Sequence, residues 1–282
     1  MRTITNYSKG IGLRSEHINT FLRQPKHSEI DFLELAPENW MNIGGFKRES
    51  LDSIAKNYPL IAHGLSLSIG DSQPLNVQFI KEVGKFCDQF KIDIYSEHLS
   101  FSRDKKGYLY ELLPIPRFKK NINYLVDRIN QVQDILQREL VLENISYYHN
   151  YNNEMSEAEF ISILVEKSQC GLLLDINNIY VNSKNHDYNV IEMFTELPSK
   201  AIRYYHIAGH LQEEKFLLDT HGRPVSDEVI DLARKVVEIH GNKPLLLERD
   251  HYIPSLKELT NELKSVHNKI LTIPISNGDK YA

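Results

Sequence analysis

Cysteine is nearly missing from this chain. Two occur in 282 residues, Cys87 and Cys170, far apart and outside any C-x-x-C pair. That fits buried free thiols in a reducing cytoplasm and leaves no thiolate set for an iron–sulfur cluster or Cu(I). Long apolar runs are missing too, so no membrane span is expected. The first residues, MRTITNYSKGIGLR, hold no apolar signal-peptide core. A cytoplasmic location away from membranes is therefore expected. There is no excess of basic charge: the net charge is −5. Nothing global would draw in nucleic acid, which is not expected as a partner. Low-complexity tracts, linkers and charge blocks are absent, which predicts a single domain over residues 1–282. No G-x-G-x-x-G follows the first predicted strand.

What is present is a repeated grammar. Hydrophobic residues make up 41% of the chain, enough for a sizeable core, and histidine occurs twelve times. Short apolar runs end on residues able to bind metal, and an amphipathic helix follows. GLLLDINN ends on Asp175 and two amides. PLIAHG ends on His63, KIDIYSEH on Glu97 and His98, ELVLEN on Glu143, AIRYYH on His206, and PLLLERD on Glu248 and Asp250. GIGLR, ending on Arg14, and DFLELAPEN, passing through Glu34 to Glu38, are weaker members. For Asp175 alone, a helix N-cap is the simpler reading.

Helical patterns separate these runs. NINYLVDRINQVQDILQREL carries Ile122, Leu125, Ile129, Val132 and Leu136 along one stripe. LNVQFIKEVGKFCDQF does the same with Val77, Ile80, Val83 and Cys87. Ser15 and Ser226 read as N-caps, and Ser156 with Glu159 as a capping box. Strands alternating with helices argue for parallel βαβ units. Eight units in about 250 residues predict an α/β fold, a (β/α)8 TIM barrel. A doubly wound open sheet ranks second, for want of the glycine fingerprint. Two connections are long: one predicts a hairpin around Lys106-Gly107, and the other, after His206, reads as a loop with further ligand types.

In a barrel the C-terminal strand ends converge on one mouth, where active sites sit. Crowding carboxylates there is unfavourable without cations or protons. The strand ends supply His63, His98, Glu143, Asp175, His206 and Glu248, and Asp219 and His221 form an i, i+2 pair in the long connection. Asn178, three residues after Asp175, offers a neutral oxygen. Nitrogen and oxygen donors suit iron, manganese or zinc, and so large a set implies two or three ions. A site built from the loop pair and an amide is expected to hold its ion most weakly. Glu38, beside Trp40, is a candidate for holding substrate. Asp250 is a candidate proton acceptor, or a partner for Arg14 or Arg249. His210 is a candidate for orienting a ligand, whereas Asn144 and Asn177 read as loop anchors, and Tyr147 and Tyr148 as packing.

The ligand order resembles that of xylose-isomerase-like barrels. The thirteen-residue step from His206 to Asp219 resembles that of the three-zinc apurinic endonucleases, which carry His where this chain has Asn178. A closer resemblance covers nearly the whole chain. GIGLRSEH, ELAPENWM, HGLSLSIG, SEHLSFS, ELLPIP, LENISYY, LLLDINNIYVN, HIAGH and ERD resemble the multinuclear non-haem iron-dependent oxidative enzymes. This family was long a domain of unknown function and includes the iron subunit of methanobactin synthase. The resemblance implies a TIM barrel with two or three iron ions, Glu143 joining two of them. It implies O2 as co-substrate and modification of cysteine in a ribosomally made precursor peptide, often with a separate leader-binding partner protein. A divalent-metal hydrolase, endonuclease or sugar isomerase is the competing reading. A vestigial scaffold is a third, disfavoured by the intact ligand set.

Overall fold

The computed structural model describes residues 3–271. In chain order the elements are β1 (Lys9–Gly12), α1 (Ile18–Arg23), β2 (Phe32–Leu35), α2 (Gly45–Ala55), β3 (Leu60–Gly64), α3 (Val77–Phe90) and β4 (Tyr95–His98). Then come β5 (Ser100–Asp104), β6 (Gly107–Pro114), α4 (Lys119–Leu136), β7 (Leu140–Glu143), α5 (Glu157–Ser168), β8 (Gly171–Asp175), α6 (Ile176–His186) and α7 (Val190–Glu196). The chain continues with β9 (Ile202–Ile207), β10 (Gly209–Gln212), β11 (Leu217–Arg223), α8 (Asp227–His240), β12 (Leu245–Leu247) and α9 (Leu256–Ile270).

Eight parallel strands close in the order β1-β12-β9-β8-β7-β4-β3-β2. These are the eight apolar runs of the sequence, and the fold is the predicted TIM barrel. β5 with β6 and β10 with β11 form two separate antiparallel ribbons. The first is the expected hairpin. Among the described residues no helix is long and apolar enough to cross a membrane.

The helices cover the barrel through their apolar stripes. In α4 all five predicted stripe residues are buried, and in α3 Ile80, Val83 and Cys87 are, whereas Val77 at the first turn is exposed. Ser226 caps α8 as expected, through the Val229 backbone N–H, and Ser156 caps α5 through the Glu159 backbone N–H, one half of the expected capping box. Ser15 does not cap: it opens a short 3-10 turn and bonds to Glu16.

Side-chain parity sets the site. Phe32, Ile61, Val141, Leu173, Tyr204 and Leu246, one from each of six barrel strands, form their own buried cluster in the barrel interior. Gly10 makes room for it, since a Cβ there would stand 2.5 Å from the Phe32 ring. Side chains alternate along a strand, so residues two apart share a face. Two positions beyond those six stand Glu34, His63, Glu143, Asp175, His206 and Glu248. Into β4 the same step runs from Ile94, just before the strand, through Ser96 to His98, while Glu97 shares the opposite face with Tyr95. The interior plug thus carries a layer of histidines and carboxylates above it.

Candidate metal centre

Glu143 lies at the middle of this layer. Its Oε2 is 3.0 Å from His63 Nε2 and 3.2 Å from His98 Nε2, and its Oε1 is 3.5 Å from His206 Nδ1. The His63 and His98 Nε2 atoms are 3.3 Å apart. His98 Nδ1 donates to the Gly64 carbonyl at 3.1 Å, which leaves its Nε2 a lone pair toward the centre. His206 Nδ1 is 2.9 Å from Glu248 Oε2 and 4.0 Å from Asp175 Oδ2. The same Glu248 oxygen is 3.2 Å from His221 Nδ1. Glu248 therefore joins His221 to the inner donors, and the pair from the long connection is not a separate island.

Donor atoms close enough to share an ion form three overlapping groups among the described residues. They are His63, Glu143 and His206; then Glu143, Asp175, His206 and Glu248; and then His221, Glu248 and Asp250. The decisive detail is what these atoms do not bond. Glu143 Oε2, Asp175 Oδ2, Asn178 Oδ1, His206 Nδ1 and His221 Nε2 are buried without a hydrogen-bond partner among the described residues. Buried polar atoms are nearly always satisfied. Four of the five belong to residues of these three groups and Asn178 follows Asp175 by three, an arrangement that cations would complete. The donor set fits metal ions.

Electrostatics agree. Burial pushes the Asp175 carboxyl up to about 8. Burial would lower His63, but the Glu143 carboxylate raises it to about 9, while His98, dominated by burial, falls to about 4. Burial opposes the ionised form of Glu248, yet His206 and His221 hold it well below the usual carboxylate range.

Asp175 answers to both readings of its sequence. Its Oδ1 accepts from the Asn178 backbone N–H at 2.6 Å as the N-cap of α6, while Oδ2 faces the donors. Asn144 clamps the Asp175 backbone at both ends, accepting from its N–H and donating to its carbonyl, each at 2.9 Å. Asn178 donates Nδ2 to the Asn144 carbonyl at 3.1 Å, which leaves its oxygen free.

Asp219 and His221 were expected in a loop but belong to β11. Gly209 pairs with Arg223 and Leu211 with Leu218, so residues 219–222 bulge out of the ribbon. Bulges re-aim side chains near functional sites. His221 has φ of +47°, unusual for a non-glycine residue. Its Nε2 comes within 2.7 Å of Asp219 Oδ1. Asp219 is held by Ser146 Oγ at 2.9 Å and by Asn177 Nδ2 at 2.8 Å, and His210 Nδ1 meets Asn177 Oδ1 at 2.9 Å. His210 thus acts on Asp219 at one remove.

The remaining candidates line the mouth. Asp250 pairs with Arg14 and lies 3.2 Å from His221 Nδ1, whereas Arg249 pairs with Glu262. Glu38 Oε1 accepts the Leu65 and Ser66 backbone N–H groups at 2.8 and 2.9 Å, and its Oε2 is buried without a partner among the described residues. Above the donors opens a cavity of about 980 Å³, walled in part by Trp40, Tyr108, Tyr147, Tyr148 and Leu113. Tyr147 is buried and stacks on His186, whereas Tyr148 is half exposed and its hydroxyl accepts the Asp219 N–H at 2.9 Å. The sequence reading left Glu34 out of the site. Its Oε2 accepts from the Tyr204 hydroxyl at 2.7 Å and lies 3.1 Å from His206 Nε2. The signal was the same step of two from a barrel-interior residue, Phe32.

Fold and site together define a xylose-isomerase-like TIM barrel whose mouth holds buried His, Glu and Asp clusters suited to metal ions. The chain resembles a xylose isomerase domain protein from Planctomyces limnophilus (TM-score 0.57, 13% identity, 94% of this chain and 98% of that one). It also resembles endonuclease IV from Thermus thermophilus (TM-score 0.62, 11% identity, 93% and 98%). At such identities the likeness is one of fold. A UPF0276 protein of Acinetobacter baylyi is 48% identical over 258 residues, 91% of this chain and 89% of that protein. The chain belongs to the MbnB/TglH/ChrH family of RiPP precursor modification enzymes, whose model matches residues 8–270.

Proposed function

We propose that this chain is a multinuclear non-haem iron enzyme that uses O2 to modify cysteine, or a position beside it, in a ribosomally synthesised precursor peptide. The observation that carries it is the set of five unpartnered buried donor atoms in the mouth of a barrel of this family. In this reading His63, His98 and Glu143 would hold one ion, and Glu143, Asp175, His206 and Glu248 a second. Asn178, Asp219 and His221, with Glu248 beside them, would hold a third. Bound iron would supply redox chemistry toward O2 and a seat for the substrate sulfur. The protein does the rest. The aromatic wall of the cavity positions the peptide and excludes water from its reacting residue. Asp250, beside His221 and Arg14, is the proposed proton acceptor. Glu38, by fixing the turn after β3, shapes the wall that holds substrate. A leader-binding partner protein would deliver the peptide.

The test is reconstitution with Fe(II) and a small cysteine-containing precursor encoded beside the gene, together with any adjacent partner. A mass change in the peptide that needs both iron and O2 supports the proposal. An unchanged peptide, with turnover of abasic DNA or a ketose by the zinc or manganese form, would replace it with the hydrolase or isomerase reading.

A further inference from the structure

We infer that Glu34 is a positioning residue for the centre. One carboxylate oxygen selects which ring nitrogen of His206 faces the ions and, through Tyr204 and Ser96, which ring nitrogen of His63 does. The inference rests on the metal reading above and concerns residues outside the donor set.

Glu34 Oε2 lies 3.1 Å from His206 Nε2. A carboxylate oxygen accepts and does not donate, so Nε2 carries the ring proton. In the neutral ring that a cation requires, the lone pair is then on Nδ1, the atom on the side of Glu143 and Glu248. The same Glu34 oxygen accepts the Tyr204 hydroxyl at 2.7 Å. Tyr204 has one hydroxyl proton, so toward Ser96 Oγ, 2.6 Å away, it can only accept. Ser96 donates there. The Ala62 carbonyl at 3.3 Å is a longer alternative, and using it would leave the 2.6 Å contact without a proton. With its one proton committed, Ser96 accepts from His63 Nδ1 at 2.8 Å. Once an ion displaces the second ring proton, His63 Nε2 is therefore the lone pair, on the side of Glu143 Oε2 at 3.0 Å.

Reversing the chain would place a proton on His63 Nε2, pointing into the donors, where no cation could bind. The acceptor at the Glu34 end prevents that. All four residues are buried at 7% exposure or less, so water does not scramble the direction. His98 takes no part, being fixed by the Gly64 carbonyl, and serves as an internal control. Partners of this kind orient ligating histidines and typically matter by about 10–100-fold in metal affinity.

The experiment uses the full chain loaded with zinc, which is diamagnetic, and ¹⁵N-labelled histidine. Imidazole nitrogen spectra read which nitrogen carries hydrogen, and competition with a chromophoric chelator reads affinity. The wild type should show N–H at Nδ1 of His63 and His98 and at Nε2 of His206. Glu34→Leu should disturb His206 and His63 together, spare His98, and weaken zinc by about 10–100-fold. Glu34→Gln, which keeps an acceptor oxygen, should recover most of the pattern. Tyr204→Phe removes one oxygen and should move the His63 resonance while leaving that of His206, so it decides the matter if Glu34→Leu does not fold. Unchanged affinity and spectra in both Glu34→Leu and Tyr204→Phe would overturn the inference. So would a wild-type His206 protonated at Nδ1. A wild-type chain that takes up no zinc, iron or manganese would overturn the metal reading itself, and this inference with it.

Discussion

Glu143→Gln is the most informative single change, because both oxygens of Glu143 lie among the histidines. Oε2 stands 3.0 and 3.2 Å from two imidazole nitrogens and Oε1 3.5 Å from a third. The substitution keeps shape and removes one full charge. Unit charges about 4 Å apart interact by about 4 kcal/mol at an effective dielectric of about 20. The loss beside each of two divalent ions is therefore several kcal/mol, about a thousandfold or more in affinity. The fold should persist, since the plug beneath is untouched and the Glu143 backbone remains paired in the barrel. The assay is metal per chain by mass spectrometry after anaerobic gel filtration, with circular dichroism as the control for folding. A second readout is His63 in the metal-free protein. The Glu143 charge overrides burial and raises His63 to about 9, above its ordinary 6.5. The pair's contribution to stability is complete below about pH 6.5 and is lost as pH rises through about 9. In Glu143→Gln that slope should shrink and His63 should titrate well below about 9, since burial then meets only the weaker charge of Glu34. A variant that binds the full complement of metal would refute the placement of Glu143 between two ions.

Three further outcomes are expected. In Gly209→Ala the new Cβ would collide with the carbonyl oxygens of Arg223 and Pro224, displacing the bulge that carries Asp219 and His221. That variant and His221→Ala should both lose one ion first on dialysis against chelator, as counted by mass spectrometry; equal loss of all ions would contradict a labile third site. Metal uptake should release protons, because Asp175 at about 8 and His63 at about 9 hold them at neutral pH. Affinity should therefore rise from pH 6 to 9, and titration calorimetry in buffers of different ionisation heat would expose a pH-independent affinity if the reasoning is wrong. Burial raises Glu157 from its ordinary 4.5 to about 7. The folded state then binds more protons than the unfolded one, so stability falls as pH rises from about 4.5 to 7, by up to about 3 kcal/mol. Glu157→Gln should flatten that part of a urea-unfolding profile.

Much of the fold was legible because the barrel strands announce themselves twice, by an apolar run and by the polar residue that ends it. Parity explains why the inner donors could be read as well. Once Leu173 is an interior residue, Asp175 must share its face, and the same step leads from Ile61 to His63 and from Leu246 to Glu248. Glu34 obeys that rule and was passed over, because its run continues through Leu35 and Ala36 to the more conspicuous Glu38. The bulge at residues 219–222 was beyond reach. It depends on pairing between β10 and β11 and on a positive φ at His221, a residue whose identity does not predict one. Val77 followed helical periodicity but sits at the first turn of α3, where the helix has not yet come down onto the barrel.

Asp175 shows why sequence evidence for such a centre accumulates across strands rather than residing in any one. Its N-cap bond would be made in an ordinary βα unit, and it uses a single oxygen. A carboxylate has two. In an isolated βα turn the second would meet water. Here the neighbouring strands close over it, so Oδ2 is buried and unbonded, and burial presses the group toward its neutral form. Burial works against the charged form of His63 too, but the Glu143 carboxylate outweighs it and raises the group, whereas burial lowers His98, which donates Nδ1 to a carbonyl and so holds a lone pair inward. Protons can balance such a cluster only by sitting where a donor's lone pair should be. Cations balance it without disturbing the donors. The barrel, by bringing the parity-matched residues of six strands to one mouth, turns individually unremarkable caps and strand ends into an arrangement whose natural complement is positive charge.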